Sequence, residues 1–192
     1  MPSPYQRELR DRLLSVPEVE APAPWRRVWD RGTAVGGLLG VGFATGPADG
    51  RDLVLVESTA GLGLFDAETG ERLARDRDPD HDGPEWERDL TCPGIGPLAG
   101  TPVRMAGLYG GGLHSGASGG WVVEVVGPEW PHHRVLLSRG TSMPYRVPHG
   151  EGWWHVFDAN RSELRAAGFS PSGRTLAVAT SSDLILWTRP AP

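Results

Sequence analysis

The segment Ser162–Arg189, SELRAAGFSPSGRTLAVATSSDLILWTR, decides the fold class of this chain. It contains three apolar runs of strand length, ELRAAGF, TLAVAT and DLILWTR, with turns of serine, proline and glycine between them. Short strands separated by such turns are typical of an antiparallel meander. The segment therefore predicts three consecutive strands, each paired with the next.

The same pattern extends back along the chain to Trp25. LGVGFA, LVLVE, GLGLFD and ERLAR follow one another between Leu39 and Arg75, and VRMAGL, GWVVEVV, RVLLS and WWHVFD lie between Val103 and Asp158. In total, about eleven strands are predicted after the N-terminal region. The sequence therefore predicts an all-β protein.

Two parts of the chain repeat one order of elements: a glycine-aromatic strand, an apolar strand that ends in serine, and a short strand that ends in an aromatic residue. In the first copy these are Gly42-Phe43, Leu53–Ser58 and Leu62–Phe65, and in the second Gly168-Phe169, Leu176–Ser181 and Leu184–Trp187. A meander of about four strands per unit, packed face to face around an axis, is the plan of a β-propeller.

The repeats resemble known propeller families. Gly168–Trp187 resembles a WD-repeat blade in Phe169-Ser170-Pro171, Gly173, Ser181-Ser182-Asp183 and Trp187, whereas Gly61–Arg75 resembles a quinoprotein-type repeat that Trp154–Ala159 echoes. The resemblance implies a small or incomplete β-propeller of three, or at most four, antiparallel meander blades. It also implies that WRRVWD (Trp25–Asp30) lies beside DLILWTR as an outer strand. It carries over no active-site pattern.

Residues 1–24 differ in composition from residues 25–192, which we assign to the propeller-like domain. Ser3 and Gln6 form a capping box around Pro4, Leu9 and Leu13 share a helix face with Tyr5, and a proline-rich linker follows. We therefore expect an N-terminal amphipathic helix. It either covers apolar surface of its own domain or binds a partner.

Composition excludes several classes of function. The net charge is −5, and the basic residues are not clustered, which argues against a nucleic-acid partner. No apolar run reaches the ~20 residues of a membrane span, and the N-terminus lacks a signal-peptide core, so we expect a cytoplasmic protein. All 19 basic residues are arginine, as in proteins of GC-rich bacteria, and Cys92 is the only cysteine.

An acidic stretch suggests a metal site. Asp78, Asp80 and Asp82 precede Gly83 at calcium-loop spacing, and Asp89 stands where the last carboxylate of such a loop belongs. The alternative is a solvated acidic turn between strands.

A glycine-rich loop suggests an enzyme. Gly116–Gly120 matches the G-x-S-x-G pattern of a hydrolase nucleophile elbow around Ser118. That elbow must open a helix, whereas here a strand is predicted to follow, so a long hairpin loop is the simpler interpretation.

Two GPEW loops suggest a contact surface instead. We expect Trp86, Arg88, Trp130, His132 and His133 to bind a partner, because exposed tryptophan beside arginine is common in binding hot spots.

The function we expect is therefore a non-catalytic protein-interaction or scaffolding module without a cofactor. Unpaired blade edges would require a partner protein or self-association. The alternatives are an immunity-type protein that neutralises a toxin, a calcium- or small-ligand-binding propeller, and a hydrolase.

Overall fold

The chain folds mainly into antiparallel β-sheet. A computed structural model describes residues 3–77, 90–140 and 146–191. The α-helix is α1 (Pro4–Ser15), and a 3-10 turn covers Gly96–Leu98. The strands are β1 (Arg26–Arg27), β2 (Thr33–Ala34), β3 (Leu38–Thr45), β4 (Asp52–Ser58), β5 (Gly61–Asp66), β6 (Arg72–Asp76), β7 (Thr91–Pro93), β8 (Pro102–Arg104), β9 (Ala106–Gly107), β10 (Gly116–Ala117), β11 (Trp121–Glu129), β12 (His132–Arg139), β13 (Trp153–Ala159), β14 (Leu164–Phe169), β15 (Thr175–Thr180) and β16 (Asp183–Thr188).

The strands form three large sheets, each built on a meander. The first sheet has the order β6-β5-β4-β3-β9, and the second has the order β10-β11-β12-β13. The third has the order β1-β16-β15-β14, with β2 also paired to β16, and β7 pairs with β8 in a small separate sheet. The prediction of an all-β fold made of meanders is confirmed.

The N-terminal segment adds to the third sheet beside its last strand, as the resemblance implied. Arg26 pairs with Thr188 and Arg27 with Trp187, and the Val28 amide donates to the Leu186 carbonyl at 2.9 Å. The start of the domain is therefore hydrogen-bonded to the last strand of the described chain.

The three sheets stack in the order second, third, first. This order follows from the strands of the third sheet, which are buried on both faces. In β15, Leu176 and Val178 pack against the second sheet, whereas Ala177 and Ala179 pack against the first. An apolar run without alternation is typical of a strand buried on both faces. The third sheet is therefore the central layer.

The outer faces of the two flanking sheets are covered by other parts of the chain. Leu13 of α1 packs against Leu136 and Trp153 of the second sheet. On the first sheet, Leu53 and Leu55 of β4 pack against residues 92–105, which include β7, the 3-10 turn and β8. The predicted helix is present with its capping box at Ser3 and Gln6, and it covers its own domain.

A crossing segment, residues 103–117, runs along the leading strand of every large sheet. Its β9 pairs with β3, the His114 carbonyl accepts a hydrogen bond from the Phe169 amide at 2.7 Å, and its β10 pairs with β11. The edges beside these leading strands are therefore occupied within the chain itself. Association across other edges stays a prediction.

A buried carboxylate joins the first sheet to the third. Oδ2 of Asp52 accepts hydrogen bonds from the hydroxyls of Ser170 at 2.8 Å, Ser172 at 2.7 Å and Thr175 at 2.9 Å. Hydrogen bonds to an ionised acceptor are stronger than neutral ones, so this contact fixes the two sheets at one end.

The helix of the described ranges is too short to cross a bilayer, and no helix there combines the length and the apolar character that a membrane span requires.

Candidate partner-binding surface

The most exposed aromatic side chain of the described residues lies at the turn between β11 and β12. We call residues 126–134 the hairpin tip. Val126 pairs with Arg134, Glu129 pairs with His132, and the register shifts between these pairs. The side chain of Trp130 at the turn is 83% exposed. An indole at this exposure is a hydrophobic group that the fold does not use.

Helix α1 supports the hairpin tip from one side. Nε of Arg10 donates to the Pro128 carbonyl at 2.9 Å, and Val126 packs beside the cluster that contains Leu13. From β12, Nη1 of Arg134 donates to the carbonyls of Leu13 and Val16 at the end of the helix. A cation is favourable there because the last carbonyls of a helix lack intrahelical partners. The tip is thus held in place before any partner arrives.

A groove of about 430 Å³ separates the hairpin tip from the end of β13. Because β12 runs away from the tip and β13 returns, Asp158 and Arg161 lie beside His132. Asp158 pairs with Arg134, its oxygen 3.4 Å from Nε. The lining residues are Leu14, Pro128, Glu129, His132, Arg134, Asp158, Asn160 and Arg161.

The groove continues into a second cavity of about 420 Å³, which shares Asp158, Asn160 and Arg161 with it. There Arg27 pairs with Glu18 at 3.2 Å, so these charges neutralise one another. Arg31 and Arg161, in contrast, have no ion pair among the described residues. The surface therefore offers one large apolar side chain and two cations, together with two carboxylates, Glu129 and Asp183, that also have no ion pair among the described residues.

Three of the predicted partner-binding residues lie in the hairpin tip. Trp130 lies at the turn of the hairpin, and the exposed His132 lines the groove. His133 is half-buried on the opposite strand face, beside Gly127. The structure therefore brings Trp130 and His132 together with the groove and turns His133 away from it.

The remaining predicted site residues fall outside the part of the chain that the structure describes. Trp86 and Arg88 lie outside the described residues, as do the proposed calcium ligands Asp78, Asp80, Asp82 and Asp89. Within the described ranges, no three histidine, cysteine or carboxylate groups are close enough to hold a metal ion together. The calcium prediction stays a prediction.

Ser118 lies in the turn between β10 and β11, and a strand follows it. Nη2 of Arg189 donates to Oγ of Ser118 and to its carbonyl, both at 2.8 Å. A serine nucleophile needs a neighbouring base to take its proton. In this geometry a permanently charged donor occupies the hydroxyl instead, which gives the hydrolase hypothesis no support.

Two buried groups were not singled out from the sequence. Glu57 is 3% exposed, and burial raises its pKa to about 7. It lies near Cys92, whose thiol pKa is raised to about 12 by burial and by the carboxylate. Neither group reaches the groove.

Asn160 and Arg161 were also missed, although a signal for them existed. In a meander, the end of one strand lies beside the turn that joins the two strands before it. The predicted strand WWHVFD therefore implied that the turn after it adjoins the GPEW turn.

No protein-family model, curated protein or solved structure matches this chain. The assignment of a function therefore depends on the geometry of the surface.

Proposed function

We propose that this chain is a non-catalytic module that binds another protein through its hairpin tip. The observation that carries the proposal is the 83% exposed side chain of Trp130 on a hairpin that α1 holds in place. An aromatic side chain of this kind removes roughly 150–250 Å² of surface from water when it binds. Tryptophan and arginine are also the residues most enriched at binding hot spots.

The surface defines the chemistry of the partner. Trp130 fits an apolar pocket, and Arg161 and Arg31 along the groove are able to pair with carboxylates beside that pocket. Because the tip is already ordered by Arg10 and Arg134, binding loses little conformational freedom. An immunity-type role, in which the bound protein is a toxin, is a special case of this proposal.

We further propose that the three meanders are blades of an incomplete β-propeller. Face-to-face packing of the sheets and the crossing segment along their leading strands support this arrangement. A crystal structure would test it. Leading strands that converge on one axis would agree with the proposal, whereas parallel layers without a common axis would contradict it.

Photo-crosslinking tests the binding surface. A benzoylphenylalanine placed at position 130 should capture one protein from the source organism, and the same probe at position 108 should not. Leu108 is a suitable control because it is 46% exposed and lies in the crossing segment. In pull-downs, Trp130→Ala should abolish recovery of the captured protein, whereas Leu108→Ala should retain it.

Two results would contradict the proposal. Equal recovery with Trp130→Ala and the wild type would show that the tip is not the binding surface. Crosslinks from position 130 only to a second copy of the chain would show self-association instead of a different partner.

A further inference from the structure

A separate cavity lies on the opposite side of the third sheet, between the β2 region and the first sheet. Its volume is about 240 Å³, and its walls are residues 33–36 on one side and β5 and β6 on the other. Val56 and Gly63, which pair across β4 and β5, lie at its floor. At about 30 Å³ for each liquid water molecule, it has room for about eight waters or one small molecule.

The cavity is open because glycines stand at positions around it where a larger residue would fill the space. Gly63 presents no side chain between Val56 and the Phe65 ring, which Trp29 contacts edge-on with centroids 6.1 Å apart. At the mouth, a Cβ built on Gly36 would meet nothing within 4 Å. The cavity is therefore formed by ordered parts of two sheets.

Two arginines of β6 line this cavity and give it positive charge. The register places Arg75 beside Gly63 and Arg72 beside Phe65, on the face that looks toward the third sheet. Neither guanidinium forms an ion pair or a hydrogen bond with any described residue, and no carboxylate is among the described lining residues. The chain has a net charge of −5, yet two arginines without an ion pair among the described residues line this one cavity. Such a pair of guanidiniums is a candidate anion site.

We propose that this cavity binds a small molecule that carries a phosphate group. One guanidinium saturates a single carboxylate with two parallel hydrogen bonds, whereas a phosphate has enough oxygens to accept from two guanidiniums at once. Two positive charges also match a phosphate dianion. The hydroxyl of Thr33 lines the remaining space, beside Phe65, whereas that of Ser58 donates to the Gly61 carbonyl at 3.1 Å.

Isothermal titration with inorganic phosphate and with glycerol phosphate tests this site, and malonate serves as a dicarboxylate comparison. We expect both phosphates to bind and to compete with each other. Arg72→Ala and Arg75→Ala should each weaken binding by about tenfold or more, because each removes charge-assisted hydrogen bonds. Both side chains are exposed and have no ion pair among the described residues, so these variants should fold like the wild type.

Two matched variants separate the cavity from general charge. Arg77→Ala removes the same charge just after β6 but outside the cavity, and it should bind phosphate like the wild type. Gly36→Leu keeps both arginines but places a side chain at the mouth, so it should weaken glycerol phosphate. Tighter binding of malonate than of phosphate, equal losses in Arg77→Ala and Arg72→Ala, or no heat with any anion at millimolar concentration would overturn the proposal. None of these results depends on the hairpin tip.

Discussion

At the scale of single residues, the two ends of β4 bury carboxyl groups in contrasting surroundings. Asp52 accepts three hydroxyl donors from the third sheet, so its charge is compensated. Glu57 lies on the opposite face, on the side that carries Leu53 and Leu55, and burial raises its pKa to about 7. Burial penalises the charged form of a carboxyl group, which raises its pKa. The same strand therefore carries one carboxylate that joins two sheets through hydrogen bonds and one carboxyl group whose ionisation is opposed by burial.

The stability of the protein should fall as the Glu57 carboxyl ionises. Its folded pKa of about 7 exceeds the ordinary value of 4.5, so between these pH values the folded state binds more protons than the unfolded state. The contribution of this group is fully present below pH 4.5 and is lost as pH rises through about 7. The shift corresponds to about 3 kcal/mol.

Urea denaturation across this pH range measures the effect. Glu57→Gln cannot ionise, so its unfolding free energy should exceed that of the wild type above pH 7 and lose that advantage in acid. Glu71→Gln, at an exposed position, provides the control and should follow the wild-type curve. A wild-type advantage over Glu57→Gln that grows with pH would contradict the assignment.

At the scale of elements, the sequence was informative wherever apolar runs had strand length. TLAVAT and DLILWT became β15 and β16 because their flanking turns carry serine and glycine. The layer order could not be predicted, because LVLVE in β4 is apolar on both faces and does not say which neighbour each face meets. The crossing segment was missed as a unit because its residues 107–117 are rich in glycine and have no period of apolar residues.

The partner-binding surface was predicted only in part, for a related reason. Trp130 and His132 were visible because they stand in a proline-flanked GPEW turn, and exposed tryptophan is common in binding hot spots. The Arg10 contact to Pro128 joins residues that are 118 positions apart. Sequence spacing carries no information on such contacts, so the support of the tip by α1 had to come from the structure.

Helix α1 should be stabilised mainly by the contact of Leu13 with the second sheet. Leu13 is 6% exposed and packs against Leu136 and Trp153. Leu13→Ala should lower the unfolding free energy by about 2–3 kcal/mol, because it leaves a cavity beneath the helix. Chemical denaturation measures the loss, and far-UV circular dichroism follows the helix.

Glu8→Ala is the matched control, since Glu8 is exposed on the same helix. It should remain within ~0.5 kcal/mol of the wild type. If Leu13→Ala proved as stable as Glu8→Ala, the helix would contribute nothing to the domain, and its support of the hairpin tip would fail with it.

At the scale of the whole molecule, the crossing segment contacts the leading strands of all three sheets. It can do so because both repeats place glycine at the point of approach. A Cβ on Gly42 would lie 2.4 Å from the Arg104 carbonyl oxygen, and a Cβ on Gly168 would lie 2.3 Å from Cβ of Leu113. The glycine of the glycine-aromatic pair, which marked the repeat in the sequence, therefore makes room for one segment in both sheets.

Gly168→Ala should therefore loosen the sheets from one another as well as strain one strand. Its methyl group must displace the Leu113 side chain and the neighbouring His114 carbonyl, which pairs with Phe169. Overpacking of this kind costs about 1–3 kcal/mol. Gly112→Ala lies in the same segment, where a Cβ would meet nothing within 4 Å, and should leave stability unchanged. Hydrogen exchange distinguishes loosening of the sheets from strain in one strand. Displacement of the crossing segment should raise exchange at the Phe169 amide, at β9 and at β10 together. Faster exchange confined to β14 would mean that the segment does not couple the sheets.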